Sequence, residues 1–241
     1  MIKEEWNMNY MKRIKEIILF TIVCFMITSC NSKTSDTIVD QSVTDKNASS
    51  ETQASSTDEP QSRDVFAMDT YMTLTAYGDN AENALDKAEA EIERLDNLLS
   101  TGDGNSEIYA LNQNGTGTIS EDTETLLNES EKLYTDTEGV FDITIYPVMD
   151  AWGFTTQNYR IPSDEELKGL LENVNASKIQ YDKASKKVTL PAGVKIDFGG
   201  IAKGYTSSRI MGIYKKCGVT SGMVSLGGNV QLLGAKPDGS F

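Results

Sequence analysis

The chain of 241 residues contains no histidine. That removes the side chain most often used as a general base near neutral pH, and the usual zinc ligand. Any chemistry must rest on carboxylates, Lys, Tyr, Ser or Thr, the downstream Cys217, or a hard metal held by oxygen. Cysteine is scarce as well, with Cys24, Cys30 and Cys217 the full set. Three thiols with no CxxC or zinc spacing exclude a disulfide framework. Basic residues are few: 22 Lys and Arg stand against 36 Asp and Glu, a formal net charge of −14. A nucleic-acid partner is excluded, because it demands a basic footprint. The apolar run at residues 17–27 is too short to span a bilayer comfortably. What remains is ordinary for a globular protein of one large domain or two small ones, with 39% hydrophobic and 24% charged residues.

The amino terminus has the character of an address. From Met11 the chain runs MKRIKEIILFTIVCFMITSC, with Lys12, Arg13 and Lys15 ahead of the apolar run. A basic start followed by a short apolar core is the pattern of a signal peptide. Its end, ITSC, resembles a bacterial lipobox, which makes residues 1–29 the expected signal and Cys30 the expected lipidated first residue. Acyl chains on Cys30 would hold the protein on the outer face of the cell membrane. Residues 30–62 are rich in Ser, Thr, Asp and Gln and hold no aromatic residue. Such a segment cannot bury enough apolar surface to offset its ordering entropy, so a disordered tether is expected there, with the folded domain at 63–241.

Within the domain, VFAMDTYMTLTAYG has the alternation of a strand. DNAENALDKAEAEIERLDNLLS repeats apolar residues at helical spacing behind a cap at Asp79 or Asn80. Ser120 can cap a second helix that faces Leu126, Leu127, Leu133 and Tyr134 inward and ends before Gly139. FDITIYPVMDAWGF is expected to be part strand, broken or turned helical at Pro147. Ser163 and Glu166 form a capping-box pattern for a helix burying Leu167, Leu170, Leu171 and Val174. KIQYDKASKKVTLPAGVKID predicts two or three short strands, GGIAKGYTSSRIMGIYKKCG a helix, and GMVSLGGNVQLLGAKPDGS further strand. Cys217 is expected in the core, and Trp152 and Tyr205 either in the core or near a bound ligand. Without a strict βαβ period the pattern favours an α+β fold. The chain stops at Phe241 just after the turn signal PDGS. The domain is therefore expected to be incomplete at its C-terminal side, since a half-finished sheet would leave an open edge.

The stretch VKIDFGGIAKGY, residues 194–205, raises the functional question. An apolar run ends in Asp197, two glycines follow, and Lys203 comes one turn into the helix. A glycine turn feeding a helix N-terminus is a natural anion site, and a lysine can neutralise a phosphate. The string matches neither GxxxxGK[ST] nor GxGxxG. Asp197 can instead cap the helix, Lys203 can belong to a solvated face, and the glycines can serve close packing. Asp142 in GVFDITIYPVMDAWGF sits among apolar neighbours, where an acid normally has a partner. The two further stretches of this character are Met68–Asp69–Thr70–Tyr71, and Gly227, Gly228 and Asn229 at a strand end.

Together these stretches resemble one family, the ApbE-type flavin transferases. FAMDTYMTL is similar to its opening motif, LLSTGDGNSEIYALN to its helix-end segment, GVFDITIYPVMDAWGF and KIDFGGIAKGYTSSRI to its two strongest motifs, and VSLGGNVQLLGAKPDGS to the following strand pair. The resemblance runs from about residue 65 to 241 and implies an ApbE-like (T-fold-like) mixed α/β domain with antiparallel sheets. It implies Mg²⁺-dependent transfer of the FMN moiety of FAD to a threonine of a partner protein, through a phosphoester bond and with release of AMP. The implied acceptors are subunits of membrane redox complexes. The resemblance implies FAD contacts at Met68, Val140, Phe141, Asp142, Asp197 and Lys203, and a main-chain metal contact at Gly200. No catalytic side chain of this chain is implied, because the acceptor threonine is the nucleophile. Three departures stand out: Gly102 replaces an aromatic of many members, Asp69 replaces the usual glycine of the opening triplet, and the family's other metal ligands lie beyond the PDGS turn. A flavin-binding lipoprotein without transfer, an FAD pyrophosphatase and a transporter's substrate-binding lipoprotein are the competing readings.

Overall fold

A computed structural model describes residues 59–239. The expected signal peptide, Cys30 and nearly all of the expected tether lie outside the described residues. Order begins earlier than the sequence indicates. β1 (Gln61–Ala67) pairs antiparallel with β2 (Thr70–Ala76), so Gln61 and Ser62 sit opposite Ala76 and Thr75 rather than in a linker. The single expected strand is thus a hairpin. It turns at Met68 and Asp69, both with positive φ, 49° and 55°. Two left-handed central residues are what a tight two-residue hairpin needs, and neither Met nor Asp advertises this as glycine does.

The hairpin extends into a four-stranded antiparallel sheet, β1-β2-β6-β7, with β6 (Gly222–Leu226) and β7 (Asn229–Leu233). Its inner face carries Val65, Ala67, Met72, Leu74, Ala76, Val224 and Leu226, all buried. Onto this face pack α1 (Ala81–Leu99) and the long helix α6 (Gly199–Lys216), through Ala84, Leu85, Ala88 and Ile92 of α1 and Ile210, Met211 and Tyr214 of α6. The heptad-like spacing of α1 is that of its buried stripe. Asn80 takes its N-cap place but makes no side-chain cap bond. Cys217 is half-buried against this cluster rather than fully inside.

A second apolar cluster joins α2 (Glu107–Asn114) and α3 (Glu121–Asp136) to a three-stranded sheet of order β3-β5-β4, made of β3 (Thr116–Thr118), β4 (Gln180–Asp182) and β5 (Lys187–Thr189). Ser120 caps α3 by accepting from the Thr123 amide, as expected. Helix α2 was not anticipated, although its signals exist: Ser106 accepts from the Ile108 and Tyr109 amides, and Gly115 closes the helix in the left-handed conformation.

Two expectations fail for local reasons, and a third stretch is only partly strand. FDITIYP is not strand. Residues Ile143–Ile145 form a 3₁₀ turn leading into α4 (Tyr146–Ala151), with Pro147 in the first turn, where its missing N–H costs nothing. Residues 194–197 join no ladder; Ile196 spends both backbone groups on the buried Asn112 amide and Asp197 gives its N–H to the Ile143 carbonyl. Helix α5 (Asp164–Leu171) does form behind the Ser163 cap, but it buries no residue, and Leu171 is 51% exposed. Among the described residues no helix is long and apolar enough to cross a membrane.

Candidate functional site

The two clusters meet at the N-terminal end of α6. Ala202 of its first turn belongs to the second cluster, Ile210, Met211 and Tyr214 to the first, and Met68 packs against both. A cavity of about 110 Å³ opens there, lined by Met68, Asp96, Asp197, Gly199 and Lys203 and by the Leu99–Thr101 turn. Three of the sequence-derived candidates, Met68, Asp197 and Lys203, are therefore brought together from positions 135 residues apart in the chain.

Each is held differently. Met68 is fixed by the hairpin's left-handed turn, and its sulfur receives the Thr206 hydroxyl at 3.9 Å. Asp197, one residue before the Phe198 N-cap, turns one carboxylate oxygen onto the amide of Gly199, the first helical residue. Lys203 lies one turn into the helix, half-buried, and the described ion pairs leave its ammonium unclaimed. The helix end is held to the strand turn by Asn229, whose amide donates to Ser207 Oγ at 2.9 Å and to the Lys203 carbonyl at 3.4 Å. Gly227 in that turn has φ of 57°, and a Cβ there would stand 2.5 Å from Thr70 Oγ1. Only glycine meets both demands.

Farther along α6, Tyr205 donates to Asp122 of α3, and Arg209 donates to Glu91 of α1 at 2.9 Å. Arg94 bridges Glu91 and Asp122, at 2.8 Å to each. This network ties three helices together beside the cavity. Burial pushes the Asp122 carboxyl up, but the Tyr205 hydroxyl and the Arg94 guanidinium outweigh it, so the net shift is downward. Burial and the Asp122 acceptor push the Tyr205 phenol up to about 12. Tyr205 and Trp152 are half-buried rather than core.

The GVFD residues are placed otherwise. Val140 is 88% exposed. Phe141 lies beside the corner: a Cβ on Gly200 would approach its ring edge to 3.1 Å, so glycine there allows the close contact. Asp142 does find partners. One carboxylate oxygen accepts from the Thr144 amide and hydroxyl at 2.8 and 2.6 Å, and the other from the Ala176 amide at 3.0 Å. Gly200 lies in the first turn of α6, where a helical carbonyl points along the axis toward the following turn. Among the described residues there is no group of three or more His, Cys, Asp or Glu that could hold a metal ion.

Sequence reasoning missed two members of the site. Asn112 clamps the Asp197-bearing segment, and Asp96 lines the cavity. Burial pushes the Asp96 carboxyl upward, the Met68 amide opposes this, and Asp69 and Asp103 add to the rise. In the sequence Asp96 is one polar position of an amphipathic helix, with nothing to separate it from its neighbours.

The ApbE family model matches residues 68–240. The chain is 29% identical over 168 residues to the FAD:protein FMN transferase of Haemophilus influenzae, covering 66% of this chain and 49% of that protein. It is 28% identical over 155 residues to the enzyme of the same name from Vibrio cholerae, covering 61% and 46%. The chain thus spans about half the length of the curated relatives it matches. Among solved structures, the ApbE protein of Thermotoga maritima superposes with a TM-score of 0.70 at 28% identity, covering 74% of this chain and 60% of that one. The Pseudomonas stutzeri flavinyl transferase ApbE gives 0.69 at 25% identity, covering 76% and 64%. The mixed α/β architecture with antiparallel sheets is the fold of these relatives.

Proposed function

Because the chain belongs to the ApbE family, we propose that it serves an FAD:protein FMN transferase, and that the cavity at the start of α6 receives the pyrophosphate end of FAD. The observation that carries this reading is the convergence of Met68, Asp197 and Lys203 on one cavity at a helix N-terminus. The unclaimed Lys203 ammonium and the positive end of α6 suit a phosphate. A cavity of 110 Å³ takes only part of a molecule as large as FAD, so the remainder would lie along the adjoining surface toward Phe141.

The reaction moves the FMN phosphoryl group from the AMP oxygen to a threonine hydroxyl of the acceptor. The bond to AMP breaks, the threonine phosphoester forms, and the threonine proton leaves with the products. Such a transfer asks the protein mainly for positioning and charge neutralisation. Lys203 would neutralise the phosphates, Met68 and Phe141 would supply apolar contact, and Asn229 would keep the first turns of α6 in place. Mg²⁺, as in the family reading, would offset further phosphate charge. The acceptor would be a threonine-bearing subunit of a membrane redox complex, and Cys30 would anchor the protein on the outer membrane face.

The test is incubation of the full chain with FAD, Mg²⁺ and a candidate acceptor subunit, read by mass spectrometry. A covalent FMN increment on threonine with AMP release supports the reading. FAD bound without transfer would favour a flavin-binding lipoprotein. No FAD binding would remove both. Palmitate labelling that vanishes in Cys30→Ser would support the anchor, and labelling that persists would refute it.

A further inference from the structure

A larger cleft lies away from the corner, between α3 and the two 3₁₀ turns, Ile143–Ile145 and Ala176–Lys178. Its volume is about 380 Å³, and it shares no lining residue with the cavity at α6. That is the low end of the ~300–1,000 Å³ of small-molecule sites. The floor is Leu127, Ser130 and Ile143, all buried, and the rim at Glu131, Thr135 and Ser177 is exposed.

Ser130 is the unexplained residue. It is 2% exposed, faces the cleft, and its hydroxyl has no hydrogen-bond partner among the described residues. Leaving a buried hydroxyl unpaired is destabilising, so its persistence asks for a partner. The walls give that partner a chemistry. Tyr134 and Tyr181 are fixed by hydrogen bonds from their hydroxyls to Asn175 and Glu124, at 3.2 and 2.7 Å, and with Ile179 they make apolar and aromatic sides. The lining holds one carboxylate, Glu131, and no Lys or Arg. An anion would enter uncompensated against it, which excludes the phosphates of a flavin nucleotide.

We propose that this cleft binds a small aromatic molecule carrying a neutral or cationic hydrogen-bonding group, which pairs with Ser130 at the floor. Flavin at the corner plays no part in this site, so the test is run without FAD and reads independently of the transferase assay.

The experiment is ligand-observed NMR and isothermal titration on the full chain. The probes are tyramine, phenol and indole, with 4-hydroxyphenylacetate as the anionic match to tyramine. The expected result is saturable binding of at least one neutral or cationic probe with Kd in the millimolar range or tighter, and at least about tenfold weaker binding of the anion. Ser130→Ala should weaken that binding severalfold, and Ser130→Val, which also fills the floor, should abolish it. Thermal melts of both variants confirm the fold, with Ser130→Ala the reference should the valine fail to fold. Binding unchanged in Ser130→Ala, no saturable binding of any probe, or equal binding of the anion would overturn the proposal.

Discussion

Asp142 and Asp197 occupy two regions that look alike along the chain: an acid following an apolar stretch, with a helix about to start. The molecule uses them differently. At Asp142 both carboxylate oxygens are committed, and three donors from residues 144 and 176 converge on them. The group closes a 3₁₀ turn and ties it to a segment more than thirty residues away. At Asp197 one described bond, to Gly199, holds the carboxylate at the edge of a cavity beside an unclaimed lysine. A saturated acid fixes structure, while an acid with spare capacity beside a cation can meet a ligand. Asp197 thus keeps carboxylate capacity at the cavity edge, whereas the bonds of Asp142 hold the turn between Phe141 and Ile143.

The largest expected effect breaks the comparison in stability. Asp142→Ala should destabilise the domain by about 3 kcal/mol, since it orphans the amide and hydroxyl of buried Thr144 and the half-buried Ala176 amide, whereas Asp197→Ala, which loses one exposed bond, should cost less than about 1 kcal/mol. Urea melts decide it, and equal losses would end the distinction. Next, Gly227→Ala should cost about 2 kcal/mol, because it combines a left-handed backbone with a clash against Thr70. A wild-type melting curve for that variant would mean that the strand turn beside Asn229 is not the support ascribed to it.

Ligand affinity sharpens the contrast from the other side. Lys203→Ala should leave the melt unchanged and raise the Kd for FAD about tenfold or more. Unchanged affinity would detach Lys203 from the phosphates. The smallest effect concerns Asp96. Its carboxyl is shifted upward by burial, so the folded state holds the proton more firmly than the unfolded chain. Stability is then lost as pH rises from the ordinary carboxylate value through the raised one. Asp96→Asn should raise Tm slightly at pH 7, and the gain should vanish in acid below that window. A gain that persists there would be unrelated to titration.

Much of the scaffold was legible because its signals are local. The stripe of α1, the Ser120 and Ser163 caps and the short strands around Gln180 and Lys187 each depend on residues within one or two turns. Helix α2 was missed although Ser106 and Gly115 signal its ends, because it is short and has few apolar residues. The burial of α5 was misjudged, since spacing reports an apolar face and not whether anything covers it.

The site divides along the same line. The glycine–lysine corner and its family were fixed by sequence, because a helix start needs particular residues in a particular order. What tertiary structure alone decided is which acid is spent on packing and which faces a cavity. It also decided that Met68, Asp96 and Lys203 share one wall, that Asn112 holds the segment bearing Asp197, and that Ser130 faces a cleft without a partner. Those outcomes depend on contacts between residues tens to more than a hundred positions apart. Hydrogen-bond saturation and burial are properties of such contacts, and no window of sequence contains them.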